Sequence, residues 1–299
     1  MTPADYLAHR RSLFYPKTDE PVVGTRHHID WAANRPTLRR YSFTPHDYSM
    51  IAEGRVIEAA HKAGVPVARV KTVRFEPTQS WQEMEVAQGA TIARLVTPGQ
   101  KLAAYKDLGR TLAILHAVDA RGAGLIDPFS ETPTGLHGCW VYYLQTNLIS
   151  HLDYATKHNL LDQAEVHYVS SKLGGFISQH KWANFPTTLL HGDLNDHNVF
   201  VQQDLVTAII DWEDALIGDP IFDLAYWATF VAHTPDTWPT FLDSYFLHAG
   251  PKPSDFDLRF WTYYLRISLS KLVQLHRYGV SDLTFATNRI ENGLNHLLP

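Results

Sequence analysis

The apolar positions of this chain change their period once. Up to about residue 96 they fall in short runs: Val67 to Val70, Thr72 to Phe75, Trp81 to Val86 and Thr91 to Val96. Turn signals at Gln88-Gly89 and Pro98-Gly99 bound them, and together they predict a small antiparallel sheet. One helix interrupts this region. Thr44-Pro45 reads as its start, Gly64 and Pro66 as its close, and Met50, Glu53, Ile57 and Ala60 as one stripe on the buried side. From Leu102 onward the period is helical, with stripes at Leu108, Leu112 and Leu115, at Leu144, Leu148 and Leu152, and at Val166, Val169, Leu173 and Phe176. Thr234-Pro235, Ser254 and Ser281 mark further helix starts, and Phe256, Phe260, Tyr263, Ile267, Leu272 and Leu275 form a long stripe ending before Gly279.

One stretch departs from the helical period. Leu189-Leu190 leads into His191-Gly192-Asp193, a polar loop ends at Asn198, and Val199-Phe200-Val201 follows as a strand. Gln202-Gln203-Asp204 turns the chain, and Ala208-Ile209-Ile210 returns as a second strand ending on Asp211. Two carboxylates and an amide therefore face one spot. Phosphoryl transfer from a nucleotide needs this inventory: an acceptor for the attacking hydroxyl's proton, and hard oxygen ligands for Mg²⁺. Asp193 suits the first task, Asn198 and Asp211 the second. Asp, Asn and Gly gather in any polar loop, so the signal lies in the compound pattern of strand, loop, strand, acid and helix start.

The step from Asp193 to Asn198 matches the spacing of base and metal ligand in kinase catalytic loops. With IIDWEDA and GDPIFDLA, the stretch resembles the aminoglycoside phosphotransferase and choline kinase group, the phosphotransferase enzyme family. In wording, through Asp211-Trp212 and Gly218-Asp219-Pro220, it is nearest the hygromycin and macrolide branches. The resemblance implies an α+β, two-lobed protein-kinase-like fold. Residues 1–96 would form a nucleotide-binding lobe of antiparallel sheet with one helix, and residues 97–299 a mainly helical lobe for catalysis and acceptor binding. It also implies Mg²⁺ and ATP, or GTP, as cofactors and a hydroxyl on a small molecule as acceptor. An aminoglycoside-like antibiotic is the first candidate, with a sugar, amino alcohol or macrolide as alternatives; a catalytically inactive kinase-fold binding protein is the alternative of another class.

Kinases pair a glutamate of their first helix with a basic strand residue that touches the α/β-phosphates. Glu53 fills the first place, and either Arg39 or Arg40 the second, with Arg where Lys is usual. A hairpin from Val22 to Ile29 and from Thr37 to Tyr41, turning at Ala33-Asn34-Arg35-Pro36, would cover the phosphates with a single glycine, Gly24. Ile92 to Val96 would be the hinge that binds the purine edge. His191 is expected to hold the catalytic loop by hydrogen bonding and Asp223 to brace it, while Asp219-Pro220 starts the following helix. LRISLSKLVQLHRYG resembles helices that wall the acceptor site, and at least one of Glu213 and Asp214 could face the acceptor cleft as an anionic rim. Gly192 stands where protein kinases carry Arg, and the short step from Asp211 to the next helix leaves no room for a phosphorylated activation segment.

Composition adds limits rather than direction. The chain has 299 residues, 45% of them hydrophobic, enough for about two domains. A single cysteine, Cys139, excludes an internal disulfide and a Cys-rich metal site. No pair among the histidines has metal-ligand spacing beside a third ligand, and His116 reads as structural. Neither a signal-peptide core nor an apolar run of roughly 20 residues is present, so a soluble, cytoplasmic protein without membrane contact is expected. A net charge of −5 with no dense Lys/Arg block argues against a nucleic-acid partner and permits a cationic acceptor.

Overall fold

The computed structural model describes residues 27–30, 35–42, 46–180, 185–231 and 236–297. Its first sheet contains β1 (His27–Asp30), β2 (Thr37–Ser42), β3 (Val70–Phe75) and β4 (Ser80–Glu85), antiparallel in the order β1-β2-β4-β3. The expected hairpin is present in its outer half; Val22 to Thr25 and the turn residues Ala33-Asn34 lie outside the described residues. Helix α1 (Ser49–Lys62) follows β2, and Met50, Glu53, Ile57 and Ala60 are all buried, as their spacing predicts. It begins at Ser49, four residues beyond the expected proline, because Asp47 holds that end: its Oδ1 accepts the Ser49 N–H at 3.1 Å, and its Oδ2 accepts the Ser42 hydroxyl at 2.7 Å. Thr44-Pro45 lies outside the described residues. Gly64, at φ +95°, takes the left-handed turn that closes the helix.

The sheet differs from expectation at both ends of the predicted set. Val67 makes a lone parallel bridge to Ile209, and the strand proper starts at Val70. Of Thr91 to Val96 only Thr91 lies in a strand, β5 (Ala90–Thr91); Ile92–Arg94 is a 3₁₀ turn. Ile92 is fully buried, and Leu95 donates back to the Ile92 carbonyl at 3.0 Å, so the apolar spacing here was that of a turn rather than of a strand. β5 pairs with the catalytic hairpin instead of completing the first sheet.

Thr97-Pro98 then opens α2 (Pro98–Leu115), with the Thr97 hydroxyl accepting the Gln100 N–H at 3.3 Å. After it come β6 (Ala123–Ile126), β7 (Gly135–His137), α3 (Trp140–Gln145), α4 (Leu148–Lys157) and α5 (Gln163–Gln179). The chain continues through β8 (Thr188–Leu190), β9 (Val199–Gln202), β10 (Leu205–Ile209), β11 (Leu216–Gly218) and α6 (Ile221–Val231). It ends with α7 (Thr237–Ala249), α8 (Phe256–Arg277) and α9 (Thr284–Leu297). Two small sheets, β10-β9-β5 and β7-β6-β11-β8, lie inside this helical body.

The Leu144, Leu148, Leu152 stripe belongs to two helices, not one. Asn147 sits at φ +60° between them, and buried carbonyls at the break are satisfied by Arg266 of α8, which donates to Leu144 O at 3.0 Å and Thr146 O at 2.7 Å. The last two helices start later than Ser254 and Ser281 suggest; the Asp282 carboxylate takes the Thr284 N–H at 3.0 Å. Thr234-Pro235 is outside the described residues.

α8 links the two hydrophobic cores. Phe256, Phe260, Tyr263 and Ile267 join the main core with Trp140, Trp212 and Trp227, while Leu265, Leu269 and Leu272 pack with Leu152, Leu173 and Ile290 in a second. Fully burying each such side chain contributes about 1.5–3 kcal/mol, which makes the helical body a rigid seat for the loops above it. The fold is of the two-lobed protein-kinase-like class: mixed, with an antiparallel sheet in the N-terminal region and helices beyond.

Candidate active site

The catalytic loop is tied down before it reaches its acid. Strand β8 carries buried Leu189 and Leu190 straight into His191, which is also fully buried. Asp223, in the first turn of α6, accepts the backbone N–H of His191 at 2.7 Å and of Gly192 at 2.9 Å, and the His116 ring meets the same carboxylate at 3.2 Å. His191 Nε2 lies 2.9 Å from the Ile210 carbonyl, so it donates there, and Nδ1 accepts the Asp193 N–H at 3.2 Å. Its ring stands edge-on to Trp212, with centroids 4.7 Å apart. The loop is thus anchored to the end of β10 and to α6 at once.

Gly192 has φ +80°, and a Cβ built on it would lie 1.9 Å from the Asp214 carbonyl oxygen. Only glycine fits there. Gly192→Ala is expected to cost about 1–3 kcal/mol of stability through backbone strain and to slow turnover more than it weakens nucleotide binding. Urea unfolding and steady-state kinetics check this; an unchanged unfolding midpoint would mean that the loop yields freely.

Asp193 emerges from this brace with a held carboxylate. Oδ1 accepts a hydrogen bond from the Tyr226 hydroxyl, and Oδ2 one from Asn198 Nδ2 at 3.2 Å. Burial and the Asp193 charge push the Tyr226 hydroxyl well above its usual range, so it remains a donor. Lys271 Nζ of α8 stands 3.6 Å from Oδ1. Asn198 Nδ2 also donates to the Asp193 carbonyl at 2.9 Å, which turns its Oδ1 the other way.

Asn198 and Asp211 come together through the hairpin. Val199 pairs with Ile209, and Ile210 donates to the Asn198 carbonyl at 2.9 Å, so Asp211 follows directly at the mouth of the ladder. Asp211 bends the chain out of β10 at φ +66°. Desolvation by the surrounding protein pushes its carboxyl up to about 6; Arg40 opposes this, and the charges of Asp193, Asp214 and Glu213 add to it. Nearly half of the side-chain surface, 48%, still opens on the cleft. The like-charge part of the shift is therefore what a cation in the cleft would reverse.

The register of β2 separates the two arginines, since alternate strand residues face opposite sides. Arg40 points inward, is 7% exposed, donates to Glu53 Oε2 and lies 3.7 Å from Asp211 Oδ1. Arg39 points outward, over the Trp81 ring at 4.6 Å and onto Glu83 at 3.2 Å, and is removed from the set. Gln82 Nε2 donates to Glu53 Oε2 at 3.0 Å. Burial lifts the Glu53 carboxyl above its usual range while Arg40 pulls the other way; burial also disfavours the Arg40 charge, but Glu53, Glu213 and Asp211 outweigh it and raise its pKa.

Glu213 and Asp214, of which at least one is expected to face the acceptor cleft, point different ways. They share a tight 3₁₀ turn, Trp212–Asp214, in which successive side chains diverge by about a third of a turn. Glu213 is nearly buried and faces the first sheet, with His27 Nδ1 3.4 Å from its carboxylate, rather than the acceptor side. Asp214 acts electrostatically on Asp211 and Tyr226, beside the catalytic loop. In the hinge segment the Ala93 N–H donates to the Asp196 carbonyl at 3.0 Å and that of Leu95 to Ile92, so neither is free for a purine edge.

Asp219 opens α6 as expected, accepting the Ile221 N–H at 3.0 Å, and its other oxygen takes Arg259 and the Tyr263 hydroxyl, each at 2.8 Å. Sequence reasoning missed Tyr226 and Lys271. Tyr226 is one helical turn beyond Asp223, and Lys271 is a cation within the apolar stripe of α8; both signals were present but neither names a partner. Among the described residues no three His, Cys, Asp or Glu could hold a metal by themselves. One carboxylate and one amide oxygen nevertheless fit Mg²⁺, which takes one or two protein ligands and completes its shell with phosphates and water. No helix is long and apolar enough to cross a membrane among the described residues.

A helical body that offers a braced Asp–Asn loop beneath a sheet holding a buried Arg–Glu pair defines a kinase-type small-molecule phosphotransferase. The sequence bears this out: the chain belongs to the phosphotransferase enzyme family, whose sequence model matches residues 26–261. Solved structures of similar fold include a thermostable mutant of aminoglycoside phosphotransferase APH(4)-Ia in ternary complex with AMP-PNP and hygromycin B, at 20% identity and TM-score 0.70, covering 92% of each chain. A choline/ethanolamine kinase family protein from Mesorhizobium loti matches at 17% identity and TM-score 0.63, over 100% of this chain and 96% of that one. Among curated proteins, mouse acyl-CoA dehydrogenase family member 10 is 25% identical over 205 residues, 65% of this chain. The match spans only 18% of that relative's length.

Proposed function

We propose that this protein transfers the γ-phosphate of ATP or GTP to a hydroxyl of a small acceptor, with Mg²⁺. The observation that carries the reading is the position of Asp193: its backbone is fixed by Asp223 and His191, its carboxylate is oriented by Tyr226 and Asn198, and Asp211 lies across the hairpin. In the reaction the acceptor O–H bond breaks toward Asp193, the acceptor oxygen bonds to phosphorus, and the bond to the nucleoside diphosphate breaks. Arg40, fixed by Glu53, is placed to meet the phosphates as a charged donor fork. Mg²⁺, held by Asn198 Oδ1 and Asp211, would neutralise charge on the β- and γ-phosphates. Aminoglycosides, sugars, amino alcohols and macrolides would all use this machinery and differ only at the acceptor wall. A cytoplasmic setting supplies the nucleotide and suits a chain with one free thiol, Cys139.

The test is a screen of the purified protein for transfer of label from γ-labelled ATP and GTP to hydroxyl acceptors, with Asp211→Ala as the control. Transfer should require a divalent cation. Losing a direct ligand should cost at least the roughly 10–100-fold that loss of an outer-shell partner costs, so Asp211→Ala is expected to weaken Mg²⁺-nucleotide binding by about 100-fold or more. Calorimetry showing unchanged Mg²⁺-nucleotide affinity would sink the assignment.

A further inference from the structure

The acceptor side of Asp193 carries a cation that the reaction above does not use. Lys271 reaches from the middle of α8, its ammonium 3.6 Å from Asp193 Oδ1 and over the faces of Tyr226 at 5.1 Å and Phe230 at 5.7 Å. The side chain is 27% exposed, and Phe230 is 36% exposed beside it. Among the described residues the ammonium has this one loose ion pair and two aromatic faces, and no hydrogen bond for its three N–H donors. It is a cation held in place but not satisfied.

Two further observations fix which side of the base it serves. Asn198 approaches Asp193 from Oδ2, and that side leads through the hairpin to Asp211 and Arg40, where the phosphates belong. Lys271 approaches the other oxygen, Oδ1, from α8, where Tyr226 of α6 also meets it. Of the two acids that could offset it, Glu213 faces the first sheet and His27, while Asp214 acts on Tyr226 beside the catalytic loop. An acceptor hydroxyl must come within about 2.6–3.2 Å of the Asp193 carboxylate, so the atoms a few bonds from that hydroxyl lie against Lys271. An ammonium there meets the like charge of Lys271 at short range, which is unfavourable. An acidic group there gains a charge-assisted hydrogen bond.

Resting on the kinase reading of this site, we propose that Lys271 binds an anionic group of the acceptor, so that the substrate is a small hydroxy compound bearing a carboxylate or a phosphate. Lys271 keeps its proton throughout. The hydroxyl proton goes to Asp193, and the ion pair between Lys271 and Asp193 is exchanged for one between Lys271 and the acceptor acid. The Tyr226 and Phe230 faces hold the ammonium in position during that exchange.

The experiment compares matched acceptors: short hydroxy carboxylates with their methyl esters, sugar phosphates with the free sugars, and amino alcohols as cationic controls. Each is assayed with labelled ATP and GTP on the unmodified protein, Lys271→Met and Lys271→Glu, with nucleotide binding measured by calorimetry to confirm a folded site. The unmodified protein is expected to prefer the acid over its ester in kcat/KM by about tenfold or more, the worth of one charge-assisted hydrogen bond. Lys271→Met should erase that preference mainly through KM of the acid, with nucleotide KM unchanged, and Lys271→Glu should shift it toward the amino alcohols. A fall in kcat of equal size for acid and ester would overturn the proposal and assign Lys271 to the transferring phosphoryl group or to holding Asp193. So would a cationic best acceptor, or an acid preference that survives in Lys271→Met. Transfer that ignores acceptor charge defeats the role of Lys271 alone; no transfer to any acceptor, with nucleotide bound, defeats the kinase reading and this proposal together. The carboxylate and phosphate series separate the two sources of negative charge.

Discussion

Asp193→Asn is expected to lower kcat by about 10²–10⁴-fold while nucleotide affinity changes little. Asp193 is the group proposed to take the acceptor's proton, and replacing it by an amide removes that capacity without removing volume. The surrounding groups keep the comparison clean. Oδ1 accepts from the Tyr226 hydroxyl and Oδ2 from Asn198 Nδ2, so the new amide can keep its oxygen toward Asn198 and donate its NH₂ to the Tyr226 oxygen, holding the loop while the base is lost. On the nucleotide side Arg40, Glu53 and Asp211 keep their places, and Asp211 only loses the repulsion of the Asp193 charge. Tyr226→Phe provides the graded comparison: it keeps the base and removes one orienting hydrogen bond, and its loss should be smaller than that of Asp193→Asn. Single-turnover kinetics in which chemistry is rate-limiting are the measurement. Near-full turnover of Asp193→Asn under those conditions would rule Asp193 out as the base.

How much of this site could be read in advance follows from how local each part is. The catalytic loop was legible because its logic is carried within a few residues: a buried strand, an acid, and an amide one short loop later. Asp223 was legible for the same reason, as an acid in the first turn of a helix whose start is marked by Asp219-Pro220. Arg39 and Arg40 could not be separated, because a shift of one residue in a strand exchanges its faces and the partners that set the register lie on β1 and β4. Thr91 to Val96 misled because four apolar residues in six suit a strand or a 3₁₀ turn, and only the packing of Ile92 into the core decides. The partner of Lys271 was out of reach. The lysine meets Asp193 only because α8 packs along α6, a tertiary fact that no local period announces.

Glu53→Ala is expected to destabilise the protein by about 3 kcal/mol or more, an effect on stability as large as that of Asp193 on rate. The reason is the arginine it would abandon. Arg40 is 7% exposed, and its shortest contact is with Glu53 Oε2; the next carboxylate, Asp211, stands 3.7 Å away. Removing Glu53 leaves a guanidinium out of water without its main counter-charge, and leaves the Gln82 amide, now bound to Oε2 at 3.0 Å, without its acceptor. Asp211 and Glu213 keep part of the compensation, which holds the cost toward the lower end of the usual 3–5 kcal/mol range for breaking a buried pair. Replacing both partners with apolar residues of similar length tests whether stability or recognition is at stake. Arg40→Met with Glu53→Met should regain most of the lost stability, since no buried charge remains, yet it should not regain nucleotide affinity if Arg40 is the cation that meets the phosphates. Urea unfolding and nucleotide calorimetry on the two single variants and the double variant complete a mutant cycle. If the double variant binds Mg²⁺-nucleotide as tightly as the unmodified protein, the Arg40–Glu53 pair is a structural element only, and the phosphates are held by another part of the cleft.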